Sequence, residues 1–206
     1  MMKIALFGAT GRVGRVIMQN ALKDGHEIQA LIRDPDGIDA HPKITIIKGD
    51  ASNKKDVFDT ITGCDAVISA LGTDKNDALT KSMIHILPAM RANSISKIIT
   101  IGTAGILDSK KEPGKFRFHS KESNRRLSTA AEDHCRAFLM LDQSSMNWTI
   151  VCPTYLPDGE RIGKYRIEMN TLPDSPSSIS MYDTGDFAYS LLQKDEYSKT
   201  RVGLTY

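Results

Sequence analysis

The chain has 206 residues, enough for one domain with a sizeable core. Its 40% hydrophobic and 25% charged content is ordinary globular usage, which excludes disordered and fibrous classes. A net charge of +2 is too balanced for a chain that coats nucleic acid, and no 18-residue apolar run offers a membrane span.

The first apolar run, Lys3 to Phe7, is short and β-rich and stops at Gly8. Arg12 to Lys23 follows as a helix, with Val13, Val16, Ile17 and Ala21 along one side and Asp24-Gly25 as its end. His26 to Arg33 and Lys43 to Lys48 read as the second and third strands, and Lys54 to Ile61 as a short helix closed by Gly63. Asp65 to Leu71 is a fourth strand, Asp77 to Asn93 a helix and Lys97 to Gly102 a fifth strand. Ser128 to Ser144 is a longer helix and Trp148 to Cys152 a sixth strand; a further helix starts near Asp183, and Arg201 to Tyr206 supplies a last strand. Strands alternating with helices predict a doubly wound parallel sheet in a three-layer α/β/α sandwich, with no boundary splitting residues 1–206 into domains. Residues 105–120 and 153–181 break this rhythm. Each follows the C-terminal end of a strand, where open α/β sheets bind ligands, so both are expected to be substrate-side loops. Cys64, Cys135 and Cys152 are far apart and lack CxxC spacing, so neither a disulfide framework nor a zinc site is expected; a reducing cytoplasm is.

The most informative segment is Gly8-Ala9-Thr10-Gly11-Arg12-Val13-Gly14, which leaves a strand and opens a helix, as a dinucleotide site requires. Gly8 permits the turn, Gly11 lets backbone approach a pyrophosphate, and Gly14 lets the helix pack close to the sheet. The helix N-terminus offers unpaired N–H groups to the phosphates, and Arg12 adds a formal charge. Arg33 ends the second strand, 19 positions after Gly14, where the adenine ribose is read. An Arg there suits a 2′-phosphate and favours NADP(H), although Asp34 follows directly. Asp50, with Ala51 beside it, suits either the adenine amino group or a cap for the helix that follows. Gly72, after Ala70-Leu71, keeps the approach to the pyrophosphate open.

GATGxxG, Arg33-Asp34, Gly49-Asp50 and Leu71-Gly72-Thr73 together resemble the atypical short-chain dehydrogenase/reductase group. Glu132-Asp133-His134, Pro153-Thr154-Tyr155 and Asp183-Thr184-Gly185 bring the resemblance closest to its NADPH-flavin reductase and biliverdin reductase B branch, over nearly the whole chain. The resemblance implies a Rossmann fold with a seven-stranded sheet, NADPH as hydride donor, and flavins or linear tetrapyrroles as acceptors. By the same resemblance, Gly8, Thr10, Gly11, Arg12 and Val13 hold the pyrophosphate, Arg33 the 2′-phosphate, and Asp50 and Ala51 the adenine. Leu71, Gly72, Thr103, Pro153, Thr154 and Tyr155 line the nicotinamide side.

Most short-chain dehydrogenases use Tyr and Lys spaced Y-x-x-x-K, the ammonium one turn from the phenol whose pKa it lowers. None of the six tyrosines here has Lys four residues later. Ordinary alcohol and ketone chemistry is therefore disfavoured. Reduction of a flavin or quinone needs less acid–base help, because its product anion is delocalised and solvent supplies the proton. Two candidates for assistance stand out: Thr103, where the resembling group often has Ser, and Tyr155, where animal members have His. His119, in Lys115-Phe116-Arg117-Phe118-His119, sits in what reads as a solvated basic loop, with a flavin cover as the sharper alternative. The expectation is an NADPH-dependent reductase of flavins, quinones or similar small planar acceptors, a monomer or weak homodimer without nucleic-acid or membrane partners. The competing reading is an NmrA-like NADP(H) sensor without turnover; a sugar-nucleotide epimerase carries little weight without Y-x-x-x-K.

Overall fold

The computed structural model describes residues 1–36, 38–73, 77–123 and 129–206. Eight strands form one sheet: β1 (Lys3–Phe7), β2 (Glu27–Ile32), β3 (Ile44–Lys48), β4 (Ala66–Ser69), β5 (Lys97–Ile101), β6 (Asn147–Pro153), β7 (Arg166–Met169) and β8 (Thr200–Thr205). Among the described residues, five α-helices join them: α1 (Arg12–Lys23), α2 (Lys54–Ile61), α3 (Ala78–Ala92), α4 (Thr129–Asp142) and α5 (Met181–Ser190). Ser128, the expected start of the fourth helix, lies outside the described residues.

The strand order is β3-β2-β1-β4-β5-β6-β8-β7, with every pairing parallel except β7 with β8. The chain winds outward from β1 in both directions, which creates a topological switch point between β1 and β4. The expected seven strands become eight: Arg166–Met169, inside the stretch read as a loop, adds an antiparallel edge strand. Two apolar layers cover the sheet. One lies under α2, α3 and α4, with Phe7, Val67, Ile98 and Trp148 fully or nearly buried. The other lies under α1 and α5, with Ile4, Leu6, Ile17 and Ile68 fully buried. Burial on both faces explains the uninterrupted apolar runs of the central strands.

Caps show how local sequence fixes these elements. Asn53 caps α2 by accepting from the N–H groups of Lys55 and Asp56, so capping falls to Asn53 and not to Asp50. α3 is capped from outside: Asp133 of α4, nearly fully buried, accepts from Leu79 N–H at 3.1 Å, Thr80 N–H at 3.0 Å and Thr80 Oγ1 at 2.6 Å. α5 begins earlier than Asp183, with Ser180 as its N-cap accepting from the Asp183 N–H.

The two expected loops are anchored. In residues 104–119, Phe116 packs on the core and Arg117 pairs with Glu122. Buried Arg201 of β8 holds the segment down: it donates twice to Asp108 at 2.9 Å and lies over the rings of Phe138 and Phe116 at 4.5 and 5.4 Å. Phe116, Arg117 and Phe118 of the Lys115–His119 stretch are therefore half-buried, whereas Lys115 and His119 stay exposed, the His119 ring resting on Phe118 at 3.8 Å. Residues 156–163 are tied down by the buried carboxylate of Asp183. It accepts from Ile162 N–H at 3.0 Å, Gly163 N–H at 2.9 Å, the Tyr206 hydroxyl at 2.5 Å and the Ser180 hydroxyl at 3.3 Å.

Burial raises the Asp183 carboxyl, but the bonds from Tyr206, Ile162, Gly163 and Ser180 outweigh it and hold its pKa below the ordinary value. A lowered carboxyl contributes its stability above the unfolded value, about 3.9, and loses it as pH falls through the folded value. Asp183→Asn is expected to cost about 2 kcal/mol near neutral pH, because donors lose a charged acceptor. Urea midpoints of the variant and wild type then converge on acidification below pH about 4.

Candidate active site

A cleft of about 360 Å³ opens over the C-terminal ends of β1 and β4, at the switch point. Of the residues singled out from sequence, Gly8, Thr10, Gly11, Arg33, Asp50, Ala51, Leu71 and Gly72 line it together. Sheet register explains the convergence. Phe7 pairs with Ser69 and Ser69 with Thr100, so the turns leaving β1, β4 and β5 emerge side by side.

The glycine turn is shaped by contact with its neighbours. Gly8 has φ +79°, and a Cβ there would lie 2.5 Å from the Ala70 carbonyl oxygen. At Gly14 a Cβ would lie 2.1 Å from the carbonyl oxygen of Gly8, so α1 packs on the backbone of the turn itself. Gly11 is the N-cap of α1 and has no side chain to cap with. The N–H groups of Arg12, Val13 and Gly14 have no acceptor among the described residues. This open row of donors beside glycine backbone fits a pyrophosphate.

At the far end, Arg33 is exposed and donates to no described residue. Asp34 is occupied locally, accepting from the Asp36 N–H at 3.2 Å, and does not line the cleft. Asp50 accepts from the Ser52 hydroxyl at 2.7 Å and the Ser52 N–H at 2.8 Å. Those two bonds, with Arg33 adding a smaller pull, hold its carboxyl below the ordinary value. An ionised Asp50 is an acceptor matched to an adenine amino group. Lys81 also lines the cleft, from the first turns of α3. Nothing in the sequence marks it, because its place depends on how α3 docks.

Six candidates lie outside this cleft. Arg12 turns away from it: its Nη1 donates to the Leu156 carbonyl and to Asp158 Oδ1, both at 3.0 Å. It straps the glycine turn to the 156–163 loop, which corrects its expected place on the pyrophosphate. The Val13 side chain is buried in the core, leaving only its N–H for a ligand. Thr103 stands past β5 and caps a short 3-10 turn, its Oγ1 accepting from Gly105 N–H at 3.4 Å. Pro153 ends β6, and Thr154 Oγ1 donates to the Leu204 carbonyl at 3.3 Å. Tyr155 is 71% exposed, which rules out a packed rim aromatic; only its backbone is fixed, by Ile179 N–H at 3.0 Å. Because Ile101 pairs with Val151, Thr103 and Pro153 leave the sheet next to each other.

Cys152, beside this region, is fully buried, and burial pushes its thiol up to about 12. It is not a reactive thiolate. Brief iodoacetamide treatment of the native protein at pH 8 is expected to leave Cys152 unlabelled, and labelling appears after denaturation.

Strand order, glycine turn and cleft define a dinucleotide-binding α/β protein. The sequence matches the NAD(P)H-binding family over residues 8–195, and the chain belongs to that family. Protein YwnB of Bacillus subtilis, itself uncharacterized, is 25% identical over 209 residues, 95% of this chain and 93% of that one. Among solved structures, a candidate NADH-flavin reductase from Streptococcus pneumoniae is 27% identical with a TM-score of 0.83, covering 100% of this chain and 99% of that one. A candidate epimerase from Bacteroides thetaiotaomicron is 25% identical with a TM-score of 0.86, covering 100% and 97%. The protein is thus an NAD(P)H-binding family member with a Rossmann fold. No helix among the described residues is long and apolar enough to cross a membrane.

Proposed function

We propose that the protein is an NADPH-dependent reductase of flavins or similar planar conjugated acceptors, working in a reducing cytoplasm. The observation that carries this reading is the pairing of a cleft built for a dinucleotide with the absence of Y-x-x-x-K anywhere in the chain. The likeness to a candidate NADH-flavin reductase supports it, and the same missing device weighs against the chemistry in the epimerase's name. Arg33 without a side-chain partner and Asp34 turned aside support NADPH over NADH.

NADPH, when bound, supplies the hydride. The chain's own residues do the rest. The N–H groups of Arg12 to Gly14 and the glycine turn hold the phosphates, Arg33 the 2′-phosphate, and Asp50 with Ala51 the adenine. Leu71, Gly72, Thr103, Pro153 and Thr154 border the nicotinamide side, and the exposed Tyr155 ring offers a face on which a planar acceptor stacks. The acceptor takes a hydride and one proton, and the proton comes from solvent.

The test is NADPH consumption, followed by nicotinamide absorbance, with FMN, riboflavin, a quinone and biliverdin in parallel and NADH as control. Saturable oxidation with at least one acceptor is expected. Tyr155→Phe keeps the rate within about twofold, since no phenolic proton is used, and Tyr155→Ala raises KM through lost stacking of about 1 kcal/mol. Tight NADPH binding with no turnover on any acceptor would instead establish the sensor reading.

A further inference from the structure

β7 closes one side of the sheet, and its outer edge has no strand partner among the described residues. The phase of the β7–β8 ladder shows what that edge presents. Asn170 N–H donates to the Arg201 carbonyl at 2.6 Å, and Glu168 and Arg166 stand opposite Gly203 and Thr205. Residues 166 and 168 therefore turn their N–H and C=O groups toward β8, as Asn170 does with its N–H alone, its carbonyl accepting from Asp108 N–H at 2.7 Å; Ile167 and Met169 turn theirs outward. Side chains alternate as well. Arg166 and Glu168 share one face, where Arg166 donates to the carbonyls of Asp174, Ser175 and Tyr206, and Glu168 pairs with Lys110. Ile167 and Met169 share the other face and are 36% and 58% exposed. The strand is neither bulged nor interrupted by proline, two common protections of a free edge.

We propose that this edge pairs with the same edge of a second copy of the chain, antiparallel, about a two-fold axis at Ile167. Outward-facing residues must oppose outward-facing residues, so a dyad within β7 falls on a residue; one at 169 needs Asn170 and Thr171, which lie past the strand with Asn170 at φ +61°, and this leaves 166, 167 or 168. An axis at 166 sets Arg166 against Arg166 of the partner subunit, and one at 168 sets Glu168 against Glu168 of the partner subunit. Both oppose like charges. The axis at 167 alone sets each Arg166 opposite Glu168 of the partner subunit, twice over. It also makes Ile167 a doubly hydrogen-bonded pair with Ile167 of the partner subunit and places Met169 against Tyr165 of the partner subunit. The self-complementary order of Arg166-Ile167-Glu168 is what selects a second copy over any other strand. A four-residue contact is short, so the dimer forms toward the upper end of the concentration range.

Sedimentation velocity of the full chain from micromolar to millimolar concentration tests this. The mean mass is expected to rise toward twice that of one chain. Ile167→Pro abolishes the rise, since it removes only an outward N–H and leaves the β8 ladder intact. Ile167→Cys, mildly oxidised, yields a disulfide-linked dimer, because the paired Cα atoms then lie at bridging distance. Met169→Cys does not, its two copies being offset by four residues, and the native cysteines are buried. A wild-type chain that stays monomeric throughout overturns the proposal. So does a dimer indifferent to Ile167→Pro, or cross-linking of Met169→Cys as readily as of Ile167→Cys.

Discussion

Replacing Gly14 by alanine is expected to remove NADPH binding and to lower stability by about 3 kcal/mol, the upper range for overpacking a tight contact. The added Cβ would sit 2.1 Å from the Gly8 carbonyl oxygen and 2.9 Å from its carbon, and both are backbone atoms that cannot rotate away. α1 must therefore lift from the turn, and the N–H row of Arg12, Val13 and Gly14 moves with it. For a chain of this size such a loss lowers Tm by roughly 6–12 °C. Calorimetry and an NADPH titration together read both effects. A Gly14→Ala protein that melts like wild type and binds NADPH with unchanged Kd would show that the close contact does not govern the turn.

Arg33→Gln is expected to separate the two cofactors. Its charge-assisted bonds to a 2′-phosphate are worth roughly 2–3 kcal/mol, or about 30- to 150-fold in Kd. NADPH affinity falls by that factor and NADH affinity stays within about twofold, because the 2′-hydroxyl offers the guanidinium no charge. Stability is unaffected, since Arg33 is exposed and donates to no described residue. Adding salt narrows the gap for the wild type and leaves the variant unchanged. Equal losses for both cofactors would place Arg33 outside the ribose site.

What could be read from the sequence was what is encoded locally. The strand, glycine turn and helix of residues 3–23 need only neighbours in sequence, and Asp24-Gly25 ends the helix with Gly25 at φ +81°. The cleft residues after β1, β2, β3 and β4 were legible because a doubly wound sheet always delivers those turns to one edge. Features set by distant partners were not. Arg12 looked like a phosphate ligand because its partner, Asp158, lies 146 positions away. β7 reads as loop because its four residues are mostly exposed and its partner strand comes later. The basic aromatic stretch at 115–119 reads as a solvated loop throughout, whereas only Lys115 and His119 are exposed: buried Arg201, on the last strand, holds Asp108 and lies over Phe116. Asp133 read only as part of a motif, whereas its carboxylate closes the start of another helix. Asp50 allows two readings from sequence alone, and the cap of α2 belongs to Asn53.

The most direct test of the account is an anaerobic reaction of the protein with limiting NADPH and excess FMN, with nicotinamide and flavin absorbance recorded together. The account predicts one FMN bleached for each NADPH oxidised, at a rate that saturates in FMN and survives Tyr155→Phe. NADPH held in the cleft with no flavin bleached, there or with the other planar acceptors, would contradict it.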